Sequence, residues 1–220
     1  NRGIQLGNTE YVAFLDSDDE HLPTTLARLV APLEHLPDAV LSFADATVVT
    51  PGGLEPNGLF STRINLEADS APIGPPHLKL RSLADATSTL LKASIIPTSA
   101  TCFRRKAALA AGLMPEDFRS GEDWLFWLRL SARGGFVFQL DDLALHHRHE
   151  ENLTYPGAAE LIAREKLRGF LGLLDGSLGV NLTPAQTSRA IQLRSRSLSN
   201  WRYHLSRLGF RAYLHGLDSI

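Results

Sequence analysis

The chain has 220 residues, 44% of them hydrophobic and 21% charged, and a formal net charge of −2. These values describe a globular protein with room for one large domain, or one domain and a short appendage, and exclude extended disorder and collagen-like repeats. The small net charge gives no basis for a nucleic-acid partner, the single cysteine, Cys102, excludes a disulfide framework, and no apolar run approaches the ~18 residues of a membrane span.

Residues 10–15 form a short apolar run suited to a buried strand. Pro23 and Thr24 open a helix in which Leu26, Leu29, Val30 and Leu33 make one apolar stripe, with Pro32 interrupting it. Residues 39–49 read as a strand, followed by a turn at Pro51, Gly52 and Gly53. Residues 54–76 are rich in Pro, Gly, Asn and Ser and read as a long surface segment. One or two short helices are expected over 78–92, a strand over 98–103 and a short helix over 104–111. Residues 122–133 give the clearest helix of the second half, ended by Gly134 and Gly135. Two strands follow, at 136–140 and within 141–149, then helices at 158–174, 184–199 and 200–214. Strands alternating with helices indicate an α/β fold.

Charge divides the chain. Residues 1–154 hold 13 Lys/Arg against 20 Asp/Glu, and residues 155–220 hold 9 against 4. The basic tail is either a solvated helical face or a surface for anionic lipid heads or phosphates.

Three clusters carry chemistry. Asp16-Ser17-Asp18-Asp19 follows the first strand. If the chain stays extended, Asp16 and Asp18 point the same way. Paired carboxylates suit Mg²⁺ or Mn²⁺, which fill their remaining positions with substrate phosphates. The alternative is that these acids charge the N-terminus of the next helix. Glu122 and Asp123 open the Trp-rich helix, where the helix dipole holds a carboxylate ionised, as a general base requires. The alternative is ordinary helix-end charge. The run His146-His147-Arg148-His149 reads as a strand, with His147 and His149 on one face and His146 and Arg148 on the other. It offers metal or phosphate contacts, or it is a surface feature.

These pieces stand in an order that resembles family 2 glycosyltransferases of the GT-A fold. The stretch from Asn1-Arg2-Gly3 through Tyr11 to Phe14-Leu15-Asp16-Ser17-Asp18-Asp19 resembles their "RN.G...A.G.Y..FLDSDD". Residues 98–105 look like their strand before the acceptor helix. Residues 111–118 are similar to their "GGFDE" segment, with Gly112, Leu113 and Met114 standing where two glycines and an aromatic usually sit. Residues 121–129 resemble "ED..L..R", and residues 148–154 resemble "R.H..N.T".

The resemblance covers residues 1–154 and implies a GT-A catalytic domain with a Rossmann-like sheet and flanking helices. Residues 155–220 are expected to form a helical appendage. The family places about a hundred residues before this start, including the nucleotide-base pocket, and Asn1 is not a Met, so a preceding segment is expected.

The implied reaction moves a sugar, of hexosyl type, from a nucleotide-diphosphate donor to an acceptor hydroxyl, with inversion and with Mn²⁺ or Mg²⁺. The acceptor would be a glycan or a lipid-linked glycan of the cell surface. By resemblance, Asp18 holds the metal, Asp16 contacts the metal or the donor ribose, and His149 closes on the metal or diphosphate. Asp123 is the general base, and Glu122 and Arg148 bind substrate. Trp124 stacks on a sugar face or is core. Asp19 is expected to partner the metal-binding acids without holding the metal itself. The expected location is cytoplasmic, with peripheral contact at the inner membrane face through Arg164, Arg168, Arg189, Arg194 and Arg196. A catalytically inactive scaffold and a nucleotidyltransferase are the competing readings.

Overall fold

The computed structural model describes residues 1–55, 58, 66, 68–149 and 158–208. They group into two compact units. The first joins Asn1–Met114 to Phe126–His149, and the second joins Pro115–Leu125 to Glu150–Ile220. Residues 115–125 group with the second unit.

The first unit is a mixed sheet with helices. In chain order its elements are α1 (Arg2–Leu6), β1 (Tyr11–Ala13), β2 (Glu20–His21), α2 (Thr25–His35), β3 (Ala39–Thr50), β4 (Gly53–Leu54), β5 (Ser70–Pro72), β6 (Leu80–Leu83), α3 (Ala86–Lys92), β7 (Thr101–Arg104) and α4 (Arg105–Ala110). Helix α5 (Glu122–Ser131) then leads to β8 (Gly135–His147). The strand order is β1-β7-β3-β8-β6-β5, with β2 attached to β8 and β4 to β3. Strands β3 and β8 run parallel at the centre, and every other pair is antiparallel. The first eight residues of β3 are all buried, as expected of a strand covered on both faces.

Two structural solutions matter for the site. Phe14, Phe103, Phe126 and Trp127 form an aromatic cluster, with Phe14 and Phe103 edge to face at 5.0 Å and Phe126 and Trp127 at 5.0 Å. It anchors the chain two residues before Asp16. The second solution concerns Pro32, which lies inside α2 and has no N–H to offer the Arg28 carbonyl. Buried Gln139 on β8 takes over, donating Nε2–H to that carbonyl at 2.6 Å while its Oε1 accepts from Arg28. The helix therefore continues past its proline to His35.

Gly112 and Leu113 follow α4 with φ of 85° and 65°. The Leu113 N–H reaches back to the Ala108 carbonyl at 3.2 Å, closing the helix in a Schellman-like turn. A leucine in the left-handed region costs about 1–2 kcal/mol, so the turn keeps glycine-like geometry without the second glycine.

In the second unit, α6 (Ala159–Leu174) packs on α7 (Pro184–Ser206) through Ala163, Leu167, Trp201 and Leu205. The Trp201 indole N–H donates to Glu160 at 2.8 Å. A capping box between Thr183 and Gln186 starts α7, with Pro184 at the first helical position. Among the described residues, no helix is long and apolar enough to cross a membrane.

Several elements differ from the expected ones. In place of two strands over 136–149 there is one 13-residue strand, Gly135–His147, because β3 supplies a parallel partner along most of its length. Helix α7 runs unbroken through Asn200, since nothing at 199–201 stops it. The 54–76 region contributes β5 and one residue of β4, and much of the remainder lies outside the described residues. Residues 80–83 are a strand, not helix, because they pair with β8.

Gln139→Leu is expected to lower the unfolding free energy by about 1–3 kcal/mol, the cost of an unpaired buried carbonyl. Adding Pro32→Ala should recover part of the loss, since a residue with an N–H at position 32 satisfies the Arg28 carbonyl. A double-mutant cycle in urea unfolding checks the coupling.

Candidate active site

The acidic stretch does not continue the strand. Strand β1 ends at Ala13, and Asp16–Asp19 turn back, closed by the Asp19 N–H bonding to the Asp16 carbonyl at 3.1 Å. Strand alternation therefore does not govern Asp16 and Asp18, contrary to the extended reading. Nor do these acids cap a helix: α2 starts at Thr25 with no acid in its first turn.

The turn meets the end of β8. Strand β2 pairs antiparallel with β8, Glu20 opposite Leu145. This register sets three acids against three histidines. The Asp18 carboxylate lies 2.9 Å from His149 Nε2, Asp19 lies 3.2 Å from His146 Nδ1, and Glu20 lies 2.9 Å from His147 Nε2. Strand β8 ends at His147, so the expected sharing of a face by His147 and His149 gives way to separate acid partners.

Asp19 is the buried member, with its side chain 3% exposed. It accepts from the Ser99 hydroxyl at 2.6 Å and from the His147 amide at 3.0 Å, besides His146. Burial alone would raise its carboxyl. The hydrogen bonds from His146, Ser99 and the His147 amide outweigh burial and hold the carboxyl below its ordinary value. Asp19 thus stabilises the fold above the ordinary carboxylate range, and that contribution is lost as pH falls through the lowered value.

Ser99 is the hub behind the turn. Its hydroxyl also accepts the Asp16 N–H at 3.0 Å, and its carbonyl lies 2.9 Å from His21 Nε2. Asp16 itself is on the exposed side. Burial by surrounding protein, then the charges of Asp19 and Asp18, push its carboxyl up from its ordinary value. The turn therefore concentrates negative charge around Asp16, and Asp19 ties it to Ser99 and the end of β8.

The sequence model described as Glycosyl transferase family 2 matches residues 1–107, the segment that contains the acidic turn, Ser99 and β7. Residues 1–107 thus carry the sequence pattern of a family 2 glycosyltransferase domain. The crystal structure of S. aureus TarS 1–349 matches the chain in fold with a TM-score of 0.55 and 17% sequence identity, over 95% of this chain and 51% of that one. The chain thus spans about half the length of that structure. No curated protein matches the chain in sequence. The fold is GT-A-like: a central sheet of eight strands among the described residues, with flanking helices.

The family motifs place the remaining candidates as follows. Arg148 pairs with Glu55 at 3.0 Å. Glu122 and Asp123 occupy the first turn of α5, and the Asp123 carboxylate accepts its neighbour's N–H, that of Trp124, at 2.7 Å. Gly121, with φ 77°, turns the chain into that helix. Trp124 is 6% exposed, and its ring lies 5.3 Å from Phe170. Its face is packed rather than presented, so it belongs to the core of the second unit and not to a sugar platform. Sequence reading passes over Ser99 and His21 and gives His146 no acid partner. Ser99 lies in a short 3₁₀ turn (Thr98–Ala100) that carries no periodic signal.

Ser99→Ala removes one donor from Asp19 and the acceptor of the Asp16 N–H. The Asp19 carboxyl is expected to titrate higher, and acid unfolding to begin at higher pH. NMR pH titration of the Asp19 carboxyl carbon and of the His147 amide checks both.

Proposed function

We propose that this chain forms part of a glycosyltransferase that moves a sugar from a nucleotide-diphosphate donor to an acceptor hydroxyl with inversion. The observation that carries the reading is the Asp18–His149 pair, 2.9 Å apart and partly exposed, in which Asp18 lies beside Asp16 on a turn within the family-matched segment.

The donor set fits a hard divalent ion. Among the described residues no group of three His, Cys, Asp or Glu side chains is arranged to hold a metal. Mg²⁺ and Mn²⁺ commonly take one or two protein ligands and complete their shell with water and substrate phosphates. Asp18 and His149 would hold the ion, with Asp16 supplying further negative charge or an oxygen to the donor ribose. Such an ion, when bound, supplies Lewis-acid stabilisation of the charge that develops on the departing diphosphate.

The chain's own residues do the rest. Asp19 fixes the turn through Ser99, His146 and the His147 amide, which holds the backbone that carries Asp18. Asp123, on the first turn of α5, is the base that accepts the acceptor's proton, a role worth about 10²–10⁴-fold in rate. Glu122 borders the acceptor. Arg148 meets the diphosphate by exchanging its Glu55 partner for phosphate oxygens. The acceptor proposed is a glycan or lipid-linked glycan in cell-surface polysaccharide synthesis.

Anionic lipid is the proposed peripheral partner, through α7. That helix holds Arg189, Arg194, Arg196 and Arg202 and no acid. Arg164 and Arg168 leave the set of lipid-facing candidates, because both pair with Glu165.

Release of nucleoside diphosphate from a panel of nucleotide sugars, with Mn²⁺, Mg²⁺ or chelator, tests the reaction in the full-length protein. Metal-dependent release that disappears in Asp18→Ala supports it. Asp123→Asn should keep donor binding and lose transfer by about 10²–10⁴-fold. Pyrophosphate release would instead indicate a nucleotidyltransferase, and neither release nor nucleotide binding an inactive scaffold. Sedimentation with anionic vesicles at low salt should carry the protein down, and Arg196→Glu with Arg202→Glu should abolish it. No sedimentation of the unaltered protein removes the lipid partner.

A further inference from the structure

Helix α6 buries a carboxylate that the reading above does not use. The Glu165 side chain is 2% exposed and pairs with Arg168 at 2.8 Å and Arg164 at 3.4 Å. Arg168 then extends away from α6. Its guanidinium donates to the Asp117 carboxylate at 3.1 Å and to the Asp117 carbonyl at 3.3 Å, and it lies 4.6 Å over the Phe118 ring. The next two residues of α6 reach the far side of the same segment. A Cβ at Gly169 would meet the Trp124 ring at 2.9 Å, and Phe170 sets its ring edge-on to Trp124. Three residues of one helix, Arg168, Gly169 and Phe170, thus hold Asp117, Phe118 and Trp124, which bracket Asp123, and Glu165 holds Arg168.

A buried ion pair is poor evidence of stability, since its desolvation cost offsets much of its attraction. Its evident effect here is geometric. Glu165 fixes the direction of Arg168, and the planar guanidinium fixes both a backbone carbonyl and a ring. A lysine cannot reproduce that, because it has neither the fork nor the flat face. Between the two anchored ends lies Gly121, in the left-handed region, where a side chain's first carbon would have nothing within 4 Å, so the turn itself is not packed in place.

We propose that Glu165 and Arg168 are positioning residues for Asp123: they fix the segment that aims its carboxylate, without touching substrate. This rests on the assignment of Asp123 as the base. Displacing a catalytic group by about 1 Å can cost 10²-fold in rate.

The test uses Arg168→Lys and the double variant Glu165→Leu with Arg168→Met, which replaces the buried pair by apolar groups. Two readouts are taken. In the first, amide hydrogen exchange over residues 117–125 should accelerate at least about tenfold in both variants, while protection of the α6–α7 contact at Leu167 and Trp201 stays unchanged. In the second, kcat for transfer should fall by about 10–100-fold with the donor KM unchanged. Arg168→Lys should not rescue it. Unchanged exchange over 117–125, or an unchanged kcat in variants that keep α6–α7 protection, overturns the proposal. Failure of the parent reading is separate: it is seen when Asp123→Asn retains full kcat, whatever the α6 variants do.

Discussion

A single buried carboxylate organises the first unit's site. Asp19 draws three donors from two distant parts of the chain: a hydroxyl at residue 99, and a ring at 146 with the next backbone amide at 147. An ionised carboxylate so deep is tolerated only because these hydrogen bonds replace its water. The consequence is a fixed register between the turn and the end of β8. From that register follow the two outer pairs, Asp18 with His149 and Glu20 with His147. Removing the central contact would leave the outer ones as solvent-exposed pairs of little strength.

The same arrangement concentrates negative charge where it is costly to the fold. Asp16 is pushed up by its surroundings and by Asp19 and Asp18, so its ionisation works against folding at neutral pH. A cation, or a cation carried by a diphosphate, would relieve that. Sites that bind charged ligands commonly hold such uncompensated charge. The aromatic cluster around Phe14 and Phe103 keeps the backbone in place against this repulsion.

The second unit solves a different problem. It holds the entry of α5 by side chains that are mostly not catalytic types: a glycine, a phenylalanine and an arginine guided by a buried glutamate. The basic tail that charge counting treats as one surface is in fact divided. Its first arginines are turned inward as structural partners, and those of α7 face outward or flank the α6 contact.

Sequence alone determined the α/β class, the central strand at 39–49, the helices near 24, 122 and 158, and the acidic run after the first strand with its order of family motifs. Each of these rests on local pattern: apolar periodicity, a run of acids, a glycine or proline boundary. What tertiary structure decided is pairing. The tight turn at Asp16–Asp19, the matching of three acids to three histidines and the role of Ser99 all follow from strands that meet some 80 to 130 residues apart in sequence. The same is true of Pro32, whose disruption is cancelled by Gln139, and of Trp124, which reads equally as sugar platform or core until Phe170 covers it. Local chemistry names which groups are available; only the register of distant strands fixes which of them share a hydrogen bond, because that register is set by burial summed over the whole sheet.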